Sequence, residues 1–475
     1  MTAATELIPW TRMTVAEAAA ILGAEVAGDA ASRPFGPVST DTRSIGPGEF
    51  FLALTGENFD GHDFCGKAIE RGAAGAIVRR DFKFQISERP SPVILRVADP
   101  LRSYGELGAW RRRQWGGALA AISGSVGKTT TRRLVARAMR DRLRALEPIR
   151  NFNNLIGLPH TLLRLEDGHE AAVVELGMNQ PGELSRLAEI ARPDVAALTR
   201  IGRAHIGLFG SIGGLIEAKL SLFEATAPGR PLVLNAACPH SVSAIPRFSG
   251  EHPIVTFRAD GSERADVAAM NVAPIAPVGY RFDLKIPGGR IEGMELRHFG
   301  RHMVENVAAA AAILHASGRD PRWIADAVAD FATEPDRGQV ERVGDWTFIL
   351  DCYNAAPESM VGALESLAES PHAGRTALVL ADMLELGDRS RAIHDDLLAP
   401  LRRLRADAAF VLGEQMARLA RTLRGEGIEA RSFDDAEALR EALRAWLRPG
   451  DRILFKGAHG FALERVARAL ARREG

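Results

Sequence analysis

The chain has 475 residues, with 60 Lys and Arg against 60 Asp and Glu, so its formal net charge is zero. That balance advertises neither a nucleic-acid surface nor a polybasic membrane patch, and at roughly 150 residues per domain the length suggests about three domains. The three cysteines, Cys65, Cys238 and Cys352, match neither a disulfide framework nor a zinc site, which fits a reduced compartment. Residues 1–10 lack a basic stretch followed by an apolar core. The longest apolar run, residues 307–314, falls well short of the ~20 residues a membrane helix needs. A cytoplasmic protein without membrane insertion, working as a monomer on small molecules and not on nucleic acid, is expected.

Taken in order, the first domain is placed at residues 1–112. Residues 15–22 read as a short helix, and the runs 50–54, 75–78 and 93–97 as strands. Between them lie two polar segments, Ser39-Thr40-Asp41-Thr42-Arg43-Ser44 and Gly56-Glu57-Asn58-Phe59-Asp60-Gly61-His62-Asp63-Phe64. Loops of this composition either turn the chain or grip a nucleotide or sugar phosphate.

The second domain, residues 113–333, opens with an apolar run at 118–122 that leads into Ile122-Ser123-Gly124-Ser125-Val126-Gly127-Lys128-Thr129-Thr130-Thr131. A full phosphate loop reads G-x-x-x-x-G-K-[ST]; here Ile122 takes the place of its first glycine, leaving the shorter G-x-x-G-K-T-T. The two glycines let successive N–H groups aim at phosphate oxygens, Lys128 adds a positive charge, and Thr129 offers a hydroxyl to Mg²⁺. Leu134, Val135, Ala138, Met139, Leu143 and Leu146 recur at helical spacing, predicting a helix directly after the loop. Strands follow at 171–174, ending on Glu175, and at 194–199, just before Gly202-Arg203-Ala204-His205. Ligands of open α/β sheets gather at the carboxyl ends of strands, so Glu175 and His205 fall where a metal and phosphates would lie; a solvated acid and a turn histidine are the alternatives. Ile212, Leu215, Ile216, Leu220 and Phe223 mark another helix, which carries Lys219.

A linker at 333–338 introduces the third domain, residues 334–475. Its strands are predicted at 347–350, ending on Asp351, and at 377–380, 408–412 and 452–455, each followed by helical periodicity. That alternation implies a mostly parallel sheet covered on both faces, a Rossmann-like doubly wound domain.

Several stretches together resemble the Mur ligase family over essentially the whole chain. Asp41-Thr42-Arg43, Gly48-Glu49-Phe50-Phe51 and Asp60-Gly61-His62-Asp63-Phe64 are similar to its UDP-sugar-binding domain, and Asn151-Phe152-Asn153-Asn154-Leu155-Ile156-Gly157-Leu158-Pro159 to the segment after the first ATPase helix. Glu175-Leu176-Gly177-Met178 resembles the metal strand, Ala218-Lys219-Leu220-Ser221 the segment with a carbamylated lysine, and Asp351-Cys352-Tyr353-Asn354-Ala355-Ala356-Pro357 a signature of the C-terminal domain.

The resemblance implies a three-domain α/β amide ligase: an N-terminal UDP-substrate-binding domain, a central P-loop ATPase domain with a mostly parallel sheet, and the C-terminal domain. It implies ATP and two Mg²⁺ ions as cofactors, with UDP-muramoyl-tripeptide and D-alanyl-D-alanine as substrates. Nucleotide contacts fall to Gly124, Ser125, Gly127, Lys128, Thr129 and Thr130 of the loop, and by resemblance to His302, Asn306, Arg337, Asp351 and Asn354. The metals fall to Thr129, Glu175, His205 and a carbamylated Lys219, with Lys128, Lys219 and His205 serving the chemistry. The UDP substrate falls to Thr40, Asp41, Arg43, Asn58, Asp60 and Lys456. His394 resembles a histidine of the third domain, or else sits on a helix surface. Met303, Ala356, Ala381 and Ala458 depart from the family pattern, all where base or amine would bind. A related ligase with another amine or acyl acceptor, including a folylpolyglutamate type, and a silent nucleotide-binding homologue are the alternatives.

Overall fold

The computed structural model describes residues 13–27, 30–56, 59–83, 92–149 and 151–472. Its strands form three sheets, and the chain divides into two compact units: residues 1–119, 143–176 and 186–192 make the first, and 120–142, 177–185 and 193–475 the second. Among the described residues, no helix is long and apolar enough to cross a membrane.

In the first unit a five-stranded sheet runs in the order Glu25–Ala27, Val93–Val97, Gly75–Arg79, Phe50–Leu52, Val38–Ser39, parallel except at the first pair. The predicted helix Val15–Leu22 is present, started by a capping box between Thr14 and Glu17 and stopped by left-handed Gly23. Phe35 stacks on Phe50 at 4.5 Å, and the helix Pro100–Gln114 adds Tyr104 and Leu107 to the same core. This helix packs against the helix Gly157–Leu162 at a point where only glycine fits: a Cβ on Gly108 would lie 2.8 Å from the Pro159 Cα. Buried Arg112 donates to the carbonyls of Ala191 (3.0 Å) and Arg192 (3.1 Å). The strands Ala145–Leu146 and Ala171–Glu175 pair in parallel.

The second unit holds the phosphate loop and both remaining sheet systems. Strands Ala118–Ser123, Val195–Leu198, Leu232–Asn235, Ile254–Arg258 and Val267–Pro274 follow one another in parallel register. Strict helix–strand alternation stops there. Val267–Pro274, Tyr280–Ile286 and Gly289–Leu296 form an antiparallel meander that periodicity reading passed over, because its outer strand is glycine-bearing and largely exposed. The expected helix after the loop is Lys128–Arg140. It ends before Leu143 and Leu146, and Leu146 belongs to a strand, so its apolar side chain fits a period-two pattern instead.

The last sheet is ordered Gln339–Val343, Trp346–Leu350, Arg452–Lys456, Thr376–Ala381, Ala408–Leu412, Ala430–Phe433, parallel except at its first pair. Its predicted strands are all present. The inner strands are buried throughout, as parallel strands covered on both faces must be. Phe455 is fully buried and meets Phe348 edge-on at 5.2 Å. Phe455→Ala is expected to cost about 3–5 kcal/mol, read as a lower urea midpoint for unfolding; an unmoved midpoint would show that the sheet tolerates the cavity.

Candidate active site

The strand Ala118–Ser123 ends at a loop that only glycine can build. Gly124 has φ +144° and Gly127 φ +86°. A Cβ on Gly124 would lie 2.1 Å from Thr199 Oγ1, and one on Gly127 2.3 Å from Asn306 Oδ1. The loop is clamped to the next strand's end: Thr199 Oγ1 donates to the Val126 carbonyl (2.6 Å) and Ser125 N–H to the Arg200 carbonyl (2.7 Å). Ser125 Oγ accepts from Gly202 N–H (2.9 Å) and donates to the Gly202 carbonyl (3.0 Å). The helix Lys128–Arg140 then starts on Gly127 with no side-chain cap, so its first turn presents N–H groups and the positive end of its dipole. Thr129, buried, and Thr130, half-buried, lie in that turn.

Two lysines converge on one carbonyl. Lys128 Nζ donates to Gly124 O at 2.8 Å and Lys219 Nζ to the same oxygen at 3.3 Å. The amines are therefore no farther than about 6 Å apart, and two unit charges at that distance repel by about 3 kcal/mol at an effective dielectric of 20. Lys219 is only 2% exposed, on the helix Ile212–Glu224. Burial, with the Lys128 charge added, pushes its ammonium well below the usual lysine range. His205 feels the same pair: burial lowers its imidazole, the Glu385 carboxylate raises it, and Lys128 and Lys219 lower it further, for a net downward shift. Its Nδ1 is hydrogen-bonded to Glu385.

Next to the loop lies a cavity of about 490 Å³, bordered by Gly127, His302, Asn306, Arg200, Arg203 and Glu358 among others. The predicted nucleotide contacts Gly127, His302 and Asn306 thus share one space. Asn306 is buried, 3.5 Å from Thr131 Oγ1. His302 Nδ1 is buried without a hydrogen-bond partner, and burial lowers the ring's pKa. The charged frame was not read from sequence. Arg200 pairs with both oxygens of Glu305 (3.1 and 2.6 Å), Asn235 Nδ2 donates to Glu305 (2.7 Å), and Arg203 N–H donates to Glu358 (3.0 Å). These residues are far apart in the sequence; the one local hint was Arg203 within Gly202-Arg203-Ala204-His205.

The other predicted residues lie elsewhere. Arg337 stacks over Tyr353 at 3.9 Å, and the exposed Asn354 accepts from Ala355 N–H. Asp351 and Lys456, assigned separately to nucleotide and substrate, form a buried ion pair at 2.6 Å. His394 is not on a helix surface. It is fully buried, with Nδ1–H on the Ser390 carbonyl (2.7 Å) and Nε2 accepting from Met383 N–H (3.0 Å), because the helix Ser390–Asp395 turns it inward. In the first unit, Glu175 is buried and accepts from Asn153 Nδ2 (2.8 Å). Arg43 donates from its backbone and side chain to Asp41, holding that carboxyl down at about 2, while Thr40 is exposed beside them. Asp60 caps the turn Gly61–Phe64 and accepts from His62. Asn58 lies outside the described residues. Among the described residues, no three His, Cys, Asp or Glu side chains gather as a metal site. Met303, Ala356, Ala381 and Ala458 are all buried packing positions.

Residues 122–314 match the model of the Mur ligase middle domain, 336–459 that of the Mur ligase glutamate ligase domain, and 36–104 that of the Mur ligase family catalytic domain. A UDP-N-acetylmuramoyl-tripeptide–D-alanyl-D-alanine ligase of Escherichia coli strain K12 is 32% identical, over 96% of this chain and 98% of its own length. The chain belongs to the Mur ligase family. A Synechocystis ligase of the same description is also 32% identical, over 91% of both chains. Among solved structures, MurF from Acinetobacter baumannii superimposes with a TM-score of 0.87 at 28% identity, covering 97% of this chain and 98% of that one. The three-domain α/β architecture expected of a Mur ligase is therefore present.

The loop geometry gives a direct test. Gly127→Ala places a methyl group against Asn306 at a positive φ. ATP binding, measured by calorimetry, is expected to weaken at least tenfold, about 1.4 kcal/mol; unchanged affinity would remove the loop from the nucleotide site.

Proposed function

We propose that this chain is the ATP-dependent amide ligase that joins D-alanyl-D-alanine to UDP-N-acetylmuramoyl-tripeptide in peptidoglycan precursor synthesis, releasing ADP and phosphate in the cytoplasm. The observation that carries the reading is the convergence of Lys128 and Lys219 on Gly124 O, under an uncapped helix N-terminus and beside the cavity at His302 and Asn306. The whole-length relatives of that description support it. Domains at residues 1–112, 113–333 and 334–475 would supply UDP-substrate, ATP and amine binding in turn.

The chemistry explains the need for such a cluster. ATP phosphorylates the substrate carboxylate to an acyl phosphate, and the amine displaces phosphate through a tetrahedral intermediate. The first step presses a carboxylate against a triphosphate, so cations must stand where the phosphoryl group moves. Lys128 would supply one such cation. The incoming α-amino group, with an ordinary pKa of about 7.7–8.0, is partly neutral near pH 7.5 and needs no strong general base. Positioning amine and acyl phosphate together can supply about 7–11 kcal/mol.

The metal ligands in this reading come from the family resemblance, and Lys219 bears on them. An ammonium cannot ligate Mg²⁺, but burial and the Lys128 charge push Lys219 well below the usual lysine range, which favours the neutral amine that adds CO₂ with loss of a proton. The carbamate would turn a repelled cation into an anion paired with Lys128, with hard oxygen donors. Thr129, Glu175, His205 and carbamylated Lys219 would hold Mg²⁺, which neutralises phosphate charge when bound.

Two measurements test the reading. Phosphate release with a panel of UDP-muramoyl peptides should require D-alanyl-D-alanine; release only with another amine would overturn the substrate. Removing CO₂ should slow turnover and bicarbonate restore it, with Lys219→Arg slow and unresponsive; a fully active Lys219→Arg would rule the carbamate out.

A further inference from the structure

His205 is reached from the C-terminal sheet. After the strand Thr376–Ala381, residues 382–387 form a loop whose Glu385 side chain meets His205 Nδ1. The backbone contact beside it is tight: Gly207 N–H donates to the Glu385 carbonyl at 3.0 Å. A Cβ on Gly207 would lie 2.6 Å from Gly387 N and one on Gly387 3.2 Å from Gly207 Cα, so the two backbones pass closely. Glu385 (φ +61°) and His205 (φ +63°) both adopt the left-handed conformation, unusual for these residue types. Two such residues facing each other mark a conformation held by its surroundings.

The loop is also anchored from behind. Asp382 accepts from Met416 N–H (2.7 Å) and Gln415 N–H (3.0 Å) in the first turn of the helix Glu414–Gly425. Buried His394 accepts from Met383 N–H, with its own Nδ1–H on Ser390 O. Asp382 thus ties the start of the loop to that helix, and His394 holds the backbone at Met383. They act as stays for the loop.

We propose that Glu385 is the positioning residue for His205. Its carboxylate accepts the Nδ1 proton, fixes the Nδ1–H tautomer, and leaves the Nε2 lone pair for a ligand at the lysine cluster. A carboxylate behind a ligating histidine orients the ring and raises its basicity. Because Glu385 belongs to the C-terminal sheet and His205 to the central one, His205 is set only while loop 382–387 is seated on residues 205–208. The inference rests on the ligase reading for what His205 serves, but the pairing can be observed without substrate, nucleotide or metal.

The experiment is imidazole ¹⁵N NMR on the full chain labelled at histidine, with the His205 signal identified by its loss in His205→Gln, alongside steady-state kinetics. In the substrate-free parent His205 should be the Nδ1–H tautomer. Glu385→Ala should lose that preference, and kcat should fall roughly 10–100-fold with all three KM values within about twofold. Glu385→Gln, whose amide oxygen still accepts the Nδ1 proton and which keeps the backbone contact, should retain the tautomer and most of the turnover. A His205 signal unchanged in Glu385→Ala overturns the proposal whatever the rates, as does Glu385→Gln behaving like Glu385→Ala. If the tautomer shifts as expected in a protein that ligates a different amine, the pairing stands and only the substrate is wrong.

Discussion

Two amines share one backbone oxygen, and the second unit is built so that they must. Glycine at 124 and 127 brings the loop carbonyl inward, Thr199 and Gly202 hold it there, and the helix Ile212–Glu224 delivers Lys219 from the other side. Such an arrangement is unfavourable for two ammonium ions in an apolar setting. It is relieved only by deprotonation, by a counter-anion or by converting one amine to an anion. A site of this kind stores a demand for negative charge. In the reaction proposed above, a triphosphate and an activated carboxylate would satisfy it only in the presence of reactants, so the electrostatic term would act on the reaction instead of being used up by the fold.

Around that point the protein keeps its fixed ion pairs to the sides. Arg200 is committed to Glu305, Arg203 to Glu358 and Asp396, and Lys456 to Asp351. Arg200, Glu305, Arg203 and Glu358 border the cavity at His302 with their charges already paired. Lys456 shows how a motif residue is absorbed by structure: a buried lysine left without Asp351 would be a large cost, so the pair is first a requirement of the sheet.

Much of this was legible in the sequence where local pattern decides the outcome. The parallel strands of the last sheet are short apolar runs between turn signals, and the loop is marked by its glycine, lysine and threonine spacing between an apolar run and a helical pattern. Lys219 was singled out, and its burial was then found. What stayed hidden depends on distance along the chain. Glu385 and His205 are 180 residues apart, and Asp382 and His394 work through backbone N–H groups that no residue pattern reports. The helix after the loop was read too long because Leu146 keeps helical phase by coincidence while occupying a strand. Asp60, read as a substrate contact, holds a cap that any Asp before a turn can form.

The antiparallel meander leaves one strand, Gly289–Leu296, at the end of its sheet order, where a further strand could in principle pair. A molecule of zero net charge gains no protection from overall repulsion. The strand supplies its own. Arg290 and Glu292 face outward, Glu295 is engaged by Arg281 and Arg297, and left-handed Gly293 is pinned by Asp283 at a break in register. Another strand seeking to add there would meet alternating charge and a kinked partner. Resistance to strand addition is thus built into this border of the sheet by its own residues.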